Sequence, residues 1–319
     1  MNILLIAGGW SVEREVSLNG AGIIHSTLEN MGHTVERLDP SDGLVHLPER
    51  ASYADFAFIN LHGSPGEDGL IQAMLERVGC PYQGSGPAAS MLALNKAVAK
   101  SFFRRAGLLT ADWHLLTEKP APDWQPEFPF PLFIKSNTGG SSLNMEKVSG
   151  PQDLPAALDS LFSVSDAYIV EPAVNGMELT CGVLGVIGES GEEEPMALPP
   201  ILIKPAAGGG IFDYTSKYAP GGAEELCPAP VSEALTRRIQ EISLAAHRVL
   251  GLSGYSRSDF IALEGEEPVL LEVNTLPGMT ATSLIPQEAA VIGLSFEALL
   301  QRLIDLGIAR SRRVENTQP

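Results

Sequence analysis

The first 90 residues alternate short apolar runs with longer amphipathic stretches, and this alternation constrains the fold more than any other feature. The pattern predicts a strand at 3–7, a helix over about 12–31, strands at 34–38 and 57–61, and a helix over about 68–78. Strands separated by helices pair in parallel, and such sheets bind ligands at the carboxyl ends of their strands. The sequence therefore predicts an α/β fold that begins with a parallel sheet, with Gly8, Gly9 and the 62–66 loop at its functional edge.

The rest of the chain mixes strands and helices in a less regular order. We predict a helix from about 92, a proline-rich connector over 120–131, strands at 131–135, 168–171 and 179–184, a helix over 231–251, a hairpin over 258–274 and a last helix over about 295–308. Segment 205–223 is rich in Gly and Ala without a hydrophobic period, which predicts a mobile loop. The polar segment from Arg310 is expected to fray.

The charge balance restricts the possible partners. The chain has 39 Asp and Glu against 21 Lys and Arg, a formal charge of -18. Such a chain repels nucleic-acid backbones and anionic membrane surfaces, so neither is an expected partner. Any bound phosphate must be held by a local cluster of the few basic residues. We predict a cytoplasmic protein for three reasons. Its three cysteines lie far apart in the sequence, it has no basic leader, and it has no apolar run of about 20 residues.

The predicted hairpin places acidic and amide side chains on one face. Residues whose numbers sum to 531 lie opposite each other if the turn closes at 264–267, so Asp259 faces Glu272 and Arg257 faces Asn274. Because side chains alternate along a strand, these four project to the same side. The opposite face is predicted to be core and consists of Phe260, Ala262, Leu271 and Val273.

Two carboxylates placed opposite each other destabilise a hairpin unless a cation neutralises them. Carboxylate and amide oxygens suit Mg²⁺, which keeps water and substrate oxygens as its other ligands. The alternative is a solvated face on which Arg257 neutralises one acid. We favour the metal site, because solvated hairpin faces rarely place Asp, Glu and Asn in register beside a Gly-rich loop.

That loop follows the predicted strand that ends at Lys135. Gly139, Gly140, Ser141 and Ser142 can present backbone N–H groups to phosphate oxygens, and Lys135 supplies charge, as Lys96 and Lys217 would. The loop is not a Walker A motif, and the sequence after Gly8 is not a dinucleotide fingerprint.

Several segments resemble the D-alanine–D-alanine ligases of the ATP-grasp superfamily, in the same order along nearly the whole chain. They are 8–18, 61–69, Asn95 with Lys96, 140–142, 212–218, 257–259 and 271–284. The resemblance implies an ATP-grasp fold with an N-terminal Rossmann-like subdomain (1–92), a small central subdomain (93–184), a C-terminal subdomain (185–309) and a polar tail (310–319). It also implies a homodimer.

The resemblance further implies ATP-dependent joining of two D-alanines through an acyl phosphate, for peptidoglycan precursor synthesis, with ADP and phosphate released. The nucleotide would be held by Lys96, Lys135, Ser142, Glu171, Val174, Glu178 and Lys217. Two Mg²⁺ ions, or Mn²⁺ in their place, would be held by Asp259, Glu272 and Asn274.

The same resemblance assigns the remaining site residues. Glu13 would bind the first ammonium and close the lid with Ser141 and Tyr218, while Arg257 and the N–H of Gly278 would stabilise the oxyanion. His62 would orient the first D-alanine, and Ser283 and Leu284 would seat the second. This chain departs from the usual pattern at 138–140 and at Asn144, where glycine is usual. The alternatives are a related ligase that uses D-serine or D-lactate as second substrate and a non-catalytic nucleotide-binding protein.

Overall fold

The computed structural model describes residues 1–140, 144–205, 223–280 and 282–317. Four of the predicted site residues lie outside this part of the chain, as does nearly all of the predicted 205–223 loop. They are Ser141, Ser142, Lys217 and Tyr218.

The N-terminal part is a parallel three-stranded sheet in the order β2–β1–β3, which confirms the predicted parallel arrangement. Its strands are β1 (Asn2–Ala7), β2 (Thr34–Leu38) and β3 (Phe56–Asn60), and its helices are α1 (Arg14–Asn30), α2 (Leu47–Ser52) and α3 (Leu70–Val78). Two 3₁₀ turns, Pro40–Asp42 and Leu44–His46, precede α2. Strands β1 and β3 are buried along nearly their whole length, as expected for a parallel sheet covered on both faces.

The prediction of one continuous helix from about residue 92 is wrong, because two helices meet at Asn95. They are α4 (Pro87–Leu94) and α5 (Lys96–Arg105). Asn95 is extended, and its side-chain oxygen accepts a hydrogen bond from the Val98 N–H, so it caps the start of α5. The cap fixes the chain immediately before Lys96.

The central part is an antiparallel sheet in the order β4–β7–β5–β6. Its strands are β4 (His114–Leu116), β5 (Leu132–Ser136), β6 (Met145–Val148) and β7 (Tyr168–Pro172), and α6 (Leu154–Phe162) belongs to the same hydrophobic core. Asn144, which departs from the usual glycine, has φ +55°, in the left-handed region that asparagine tolerates better than most residues. The backbone conformation at position 144 is therefore one that this chain adopts with asparagine in place of glycine.

The largest sheet has the strand order β11–β10–β8–β12–β13, with β9 also paired to β8. Its strands are β8 (Met177–Ile187), β9 (Glu193–Ala197), β10 (Ile201–Pro205), β11 (Ala223–Leu226), β12 (Tyr255–Ala262) and β13 (Val269–Asn274). The C-terminal helices are α7 (Glu233–Val249), α8 (Leu284–Val291) and α9 (Phe296–Thr317). Within the described ranges, no helix combines the length and apolarity needed to cross a bilayer.

Helix α9 continues to Thr317, so the predicted end near 308 and the predicted fraying from Arg310 are wrong. The Arg310 guanidinium lies 4.1 Å above the Tyr82 ring and forms an ion pair with Glu76 at 3.5 Å. A polar residue thus anchors the last helix to the N-terminal part, since its stem and charge both find partners there.

The β12–β13 hairpin has the predicted register at its polar end, where Arg257 pairs with Asn274 and Asp259 with Glu272. The register then shifts by one residue, and Phe260 pairs with Leu270. The prediction of Leu271 as core is therefore wrong: Leu270 is fully buried, whereas Leu271 is only partly buried. A bulge of this kind leaves one residue unpaired and turns the following side chains to the other face.

Helix α7 is joined to β12 by a buried hydrogen bond between His247 Nδ1 and Ser256 Oγ, 2.8 Å apart. His247 is 2% exposed, and burial lowers its pKa to about 4, with Arg248 adding to the effect. The neutral imidazole is therefore part of the folded core.

We predict that His247 makes stability depend on pH. Its pKa is lower in the folded chain than in the unfolded chain, so its contribution is present above about pH 6.5 and is lost as the pH falls towards 4. The full effect is on the order of 3 kcal/mol. Urea unfolding between pH 4.5 and 7.5 should give a flatter pH dependence for His247→Asn than for the wild-type chain, and parallel profiles would contradict this.

Candidate active site

A cleft of about 400 Å³ collects most of the residues predicted for the site. Those that line it are Glu13, His62, Glu178, Arg257, Asp259, Glu272, Asn274, Gly278, Ser283 and Leu284. They come from the loop before α1, from the loop after β3, from three strands of the large sheet and from the segment around the start of α8. The fold thus brings residues that are far apart in the sequence together in one cleft.

Asp259 is held by four donors on the floor of the cleft. Arg257 donates through Nε and Nη2 to the two carboxylate oxygens, each at 2.9 Å, while Asn274 Nδ2 donates at 3.0 Å. The Thr180 hydroxyl on β8 donates to Asp259 Oδ1 at 2.7 Å. Arg257 therefore neutralises one acid, as the alternative interpretation expected. The Asp259 side chain is only 13% exposed, however, so this carboxylate does not lie on a freely solvated surface.

Glu272 is neutralised by a different cation. The Lys96 ammonium lies 2.9 Å from Glu272 Oε2 and donates to the Gly139 carbonyl at 2.7 Å. Lys96 thereby joins the start of α5, the Gly-rich loop and the polar face of the hairpin. Each of the two opposing carboxylates has its own basic partner.

A buried cluster lies on the central sheet next to this face. Glu171 forms ion pairs with Lys135 at 2.5 Å through Oε2 and with Lys100 at 2.6 Å through Oε1. Burial raises the pKa of Glu171, but the two lysines outweigh it and lower the pKa overall. Val174 lies between β7 and β8, so the predicted nucleotide residues Glu171, Val174 and Glu178 lie along one short stretch of chain.

The N-terminal part contributes Glu13 and His62. A methyl group added at Gly140 would lie 2.9 Å from Glu13 Oε2, so the Gly-rich loop reaches Glu13. Burial lowers the pKa of His62, and Arg257 adds to this while Glu13 opposes it. The imidazole is therefore neutral near pH 7 and able to accept or donate a hydrogen bond.

The start of α8 forms another wall of the cleft. Ser283 is the N-cap residue, and its hydroxyl accepts a hydrogen bond from the Thr280 N–H at 2.9 Å. A methyl group on Gly278 would lie 2.9 Å from the same oxygen, so the backbone around Gly278 packs closely against Ser283. The N-terminus of a helix favours a carboxylate, which agrees with the predicted role of Ser283 and Leu284.

Sequence reasoning missed four polar residues around the cleft: Glu67, Lys100, Thr180 and Glu288. Glu67 accepts from the Gly63 N–H at 2.7 Å, and burial, with Glu13, raises its pKa to about 7. Glu288 accepts from the Gly182 N–H at 2.9 Å, and burial raises its pKa well above the usual range. The sequence does give one signal for Glu288, because it lies among mostly apolar residues on α8. A segment of this composition packs against the rest of the chain, so a glutamate within it can be buried.

Comparison with known proteins finds relatives that match nearly the whole chain. The family model described as "D-ala D-ala ligase C-terminus" matches residues 102–305. A D-alanine–D-alanine ligase of Oleidesulfovibrio alaskensis is 60% identical over 97% of this chain and 97% of its own length. One from Nitratidesulfovibrio vulgaris (strain DP4) is 58% identical over 98% of this chain and all of its own.

This chain belongs to the D-alanine–D-alanine ligase family.

Solved structures agree with this assignment. A D-alanine–D-alanine ligase from Bacillus anthracis has a TM-score of 0.85 at 32% identity and covers 98% of this chain and 99% of its own. The same enzyme complexed with ATP has a TM-score of 0.84 at 29% identity, with the same coverage. The chain therefore has the ATP-grasp fold that the motifs predicted.

The residue types on the hairpin face fit a hard divalent ion. Asp259, Glu272 and Asn274 supply two carboxylates and an amide on one side of the sheet. No group of three or more His, Cys, Asp and Glu side chains that could hold a metal occurs among the described residues, so an ion here needs Asn274 and oxygens from substrate or water. It would also compete with Arg257 and Lys96 for the two carboxylates.

We predict that the Thr180 hydroxyl stabilises the fold through Asp259. Thr180→Val keeps the side-chain shape and leaves a largely buried carboxylate one donor short, so the free energy of unfolding should fall by about 1–2 kcal/mol. Thr27→Val on α1, where the half-buried Thr27 donates to the Ile23 carbonyl of its own helix at 2.9 Å, is the matched control and should change it by less than about 0.5 kcal/mol. Equal losses in urea unfolding would contradict the role given to Asp259.

Proposed function

We propose that this chain is an ADP-forming ligase that uses ATP to join two D-alanines into D-alanyl-D-alanine. The observation that carries the proposal is the register of the β12–β13 hairpin, which places Arg257, Asp259, Glu272 and Asn274 on the floor of one cleft. Its walls come from the N-terminal part and from the start of α8. Family membership supports the same reaction.

Two walls of the cleft, one from the N-terminal part and one from the start of α8, carry groups that can bind the two amino acids. Glu13 offers a carboxylate for the ammonium of the first D-alanine, and the neutral His62 beside it can orient that substrate. The helix start at Ser283 and Leu284 can hold the carboxylate of the second. The reacting carbon would then lie between them, near Arg257.

Phosphoryl transfer from ATP needs mainly positioning and charge neutralisation. Lys96 and Lys135 can meet the phosphates, because Lys96 pairs with Glu272 on the floor of the cleft, and Lys135 pairs with Glu171 close enough to this face to be influenced by Glu272 and Asp259. Arg257 and the Gly278 N–H can stabilise the oxyanion that forms when the second amine attacks the acyl phosphate. One such donor contributes about 3 kcal/mol in enzymes of this kind of chemistry.

Asp259, Glu272 and Asn274 would hold two Mg²⁺ ions, or Mn²⁺ in their place. Such ions neutralise the transferring phosphoryl group and polarise its oxygens. Because Arg257 pairs with Asp259 and Lys96 with Glu272 in this structure, ions held there would compete with both basic residues. Arg257 and Lys96 would then be available to the substrates.

The proposed lid residues Ser141 and Tyr218, and the proposed nucleotide contacts Ser142 and Lys217, stay predictions. So does the assignment of the cleft to D-alanine in place of D-serine or D-lactate as second substrate. We further propose that the enzyme acts as a homodimer in the cytoplasm, and a monomer mass by light scattering at micromolar concentration would reject the dimer.

The reaction is tested by mixing the purified chain with ATP, Mg²⁺ and D-alanine. We expect phosphate release that depends on D-alanine, with D-alanyl-D-alanine as product by mass spectrometry. L-alanine is the matched control and should give no more than background. Equal release with both enantiomers would reject the substrate assignment, and a mixed product from D-alanine with D-serine or D-lactate would favour the related ligases.

Glu272→Gln tests the polar face in the same assay. The amide keeps the size of the side chain but removes the negative charge. That charge pairs with Lys96 and is also the proposed ligand of the ion. We expect turnover to fall by at least about 100-fold, the scale of one lost metal or oxyanion contact. The midpoint of thermal unfolding should move by only a few degrees, and a shift like that of a core truncation would mean that the face is structural.

A further inference from the structure

Lys100 is a buried cation that none of the roles above uses. It lies on α5, one turn after Lys96, and its side chain is fully buried. Its ammonium forms an ion pair with Glu171 Oε1 at 2.6 Å, donates to Thr110 Oγ1 at 2.7 Å and donates to the Ala111 carbonyl at 3.2 Å. Thr110 and Ala111 thus accept two of its three N–H donors, whereas the contact with Glu171 is an ion pair without a hydrogen bond to Oε1.

The partner of Lys100 is shared with Lys135. Glu171 gives Oε1 to Lys100 and Oε2 to Lys135, so each oxygen has one cation. The Lys135 side chain is 14% exposed, whereas that of Lys100 is not exposed at all. Glu272 and Asp259 both act on the Lys135 ammonium, so Lys135 is the member of the cluster nearer the polar face of the hairpin, and Lys100 is the fully buried member.

The cluster of two lysines and one glutamate carries a net positive charge. Burial lowers the pKa of Lys135, but Glu171 and Glu272 outweigh it, and the pKa is raised overall. If Lys100 were absent, the single charge of Lys135 would be cancelled by Glu171. Glu171 Oε1 would also lose its cation, and a buried charge without a partner draws the nearest remaining one towards it.

We propose that Lys100 is a positioning residue for the nucleotide: by holding one oxygen of Glu171 it keeps Lys135 extended towards the cleft with its positive charge available to phosphate. Lys100 itself touches no substrate. The inference rests on the proposed function to the extent that Lys135 meets the phosphates of ATP.

Lys100→Met tests this with steady-state kinetics. We expect KM for ATP to rise by roughly 10- to 100-fold, the cost of disturbing one charge-assisted contact, while KM for D-alanine changes by less than about threefold. Arg104→Met is the matched control. Arg104 lies one turn further along α5 and pairs with the exposed Asp112 at 2.5 Å, so it should leave both KM values unchanged.

A double-mutant cycle shows whether Lys100 acts through Glu171. In a Glu171→Gln background, adding Lys100→Met should change KM for ATP by less than about threefold, because the carboxylate that transmits the effect is gone. This pair of variants also removes buried charges of both signs, so it tests the inference even if Lys100→Met alone fails to fold. Fully additive effects, or equal rises in both KM values, would overturn the inference.

Binding of a non-hydrolysable ATP analogue with Mg²⁺ separates this inference from the proposed function. Calorimetry should show weaker binding to Lys100→Met than to the wild-type chain, whether or not any dipeptide is made. Absence of D-alanine-dependent turnover in the wild-type chain would reject the function alone. Unchanged binding of the analogue to Lys100→Met would reject the role of Lys100 alone.

Discussion

Two carboxylates facing each other across β12 and β13 govern the arrangement of the cleft. Asp259 and Glu272 are paired in register, and like charges in that position destabilise an antiparallel pair. The structure balances them with separate cations, Arg257 on the same strand and Lys96 from α5. Because Lys96 also donates to Gly139, neutralising Glu272 simultaneously fixes the Gly-rich loop against the hairpin.

The same principle extends into the core of the central sheet. Glu171 is almost completely buried and is tolerated only because Lys100 and Lys135 are placed at its two oxygens. A chain with 21 basic and 39 acidic residues thus concentrates several of its few cations around one cleft. Such a concentration has little value for stability alone, since buried pairs roughly balance their desolvation cost, and it is more readily explained by binding of a polyanion.

Local sequence patterns predicted much of this arrangement, whereas the rest depends on long-range contacts that no local pattern marks. The polar register of the hairpin followed from a turn placed symmetrically between two strand-like runs. The bulge after Asp259 did not, because nothing in a strand pattern marks where one residue drops out of register. The continuous helix predicted from about residue 92 places Asn95 in the helix interior, whereas its side chain caps α5. A capping residue within a continuous apolar pattern gives only a weak signal in the sequence.

The contacts that sequence reasoning missed join distant segments. Lys100 meets Glu171 across 71 positions of sequence, and Arg310 reaches Tyr82 across 228. Neither pair is marked by periodicity or spacing, since both depend on which elements pack together. The family motifs predict which residues contact substrate, but they do not mark buried partners of those residues such as Thr180 and Lys100. The subdomain boundaries at 92, 184 and 309 stay predictions.

In the proposed function, divalent ions and nucleotide would replace Arg257 and Lys96 as partners of the facing carboxylates. A crystal structure of this chain with a non-hydrolysable ATP analogue and Mg²⁺ tests it most directly. We predict that Asp259, Glu272 and Asn274 coordinate the ions while the Arg257–Asp259 and Lys96–Glu272 contacts open. A nucleotide bound in the cleft with both of those contacts intact and no ion on the hairpin face would contradict the account.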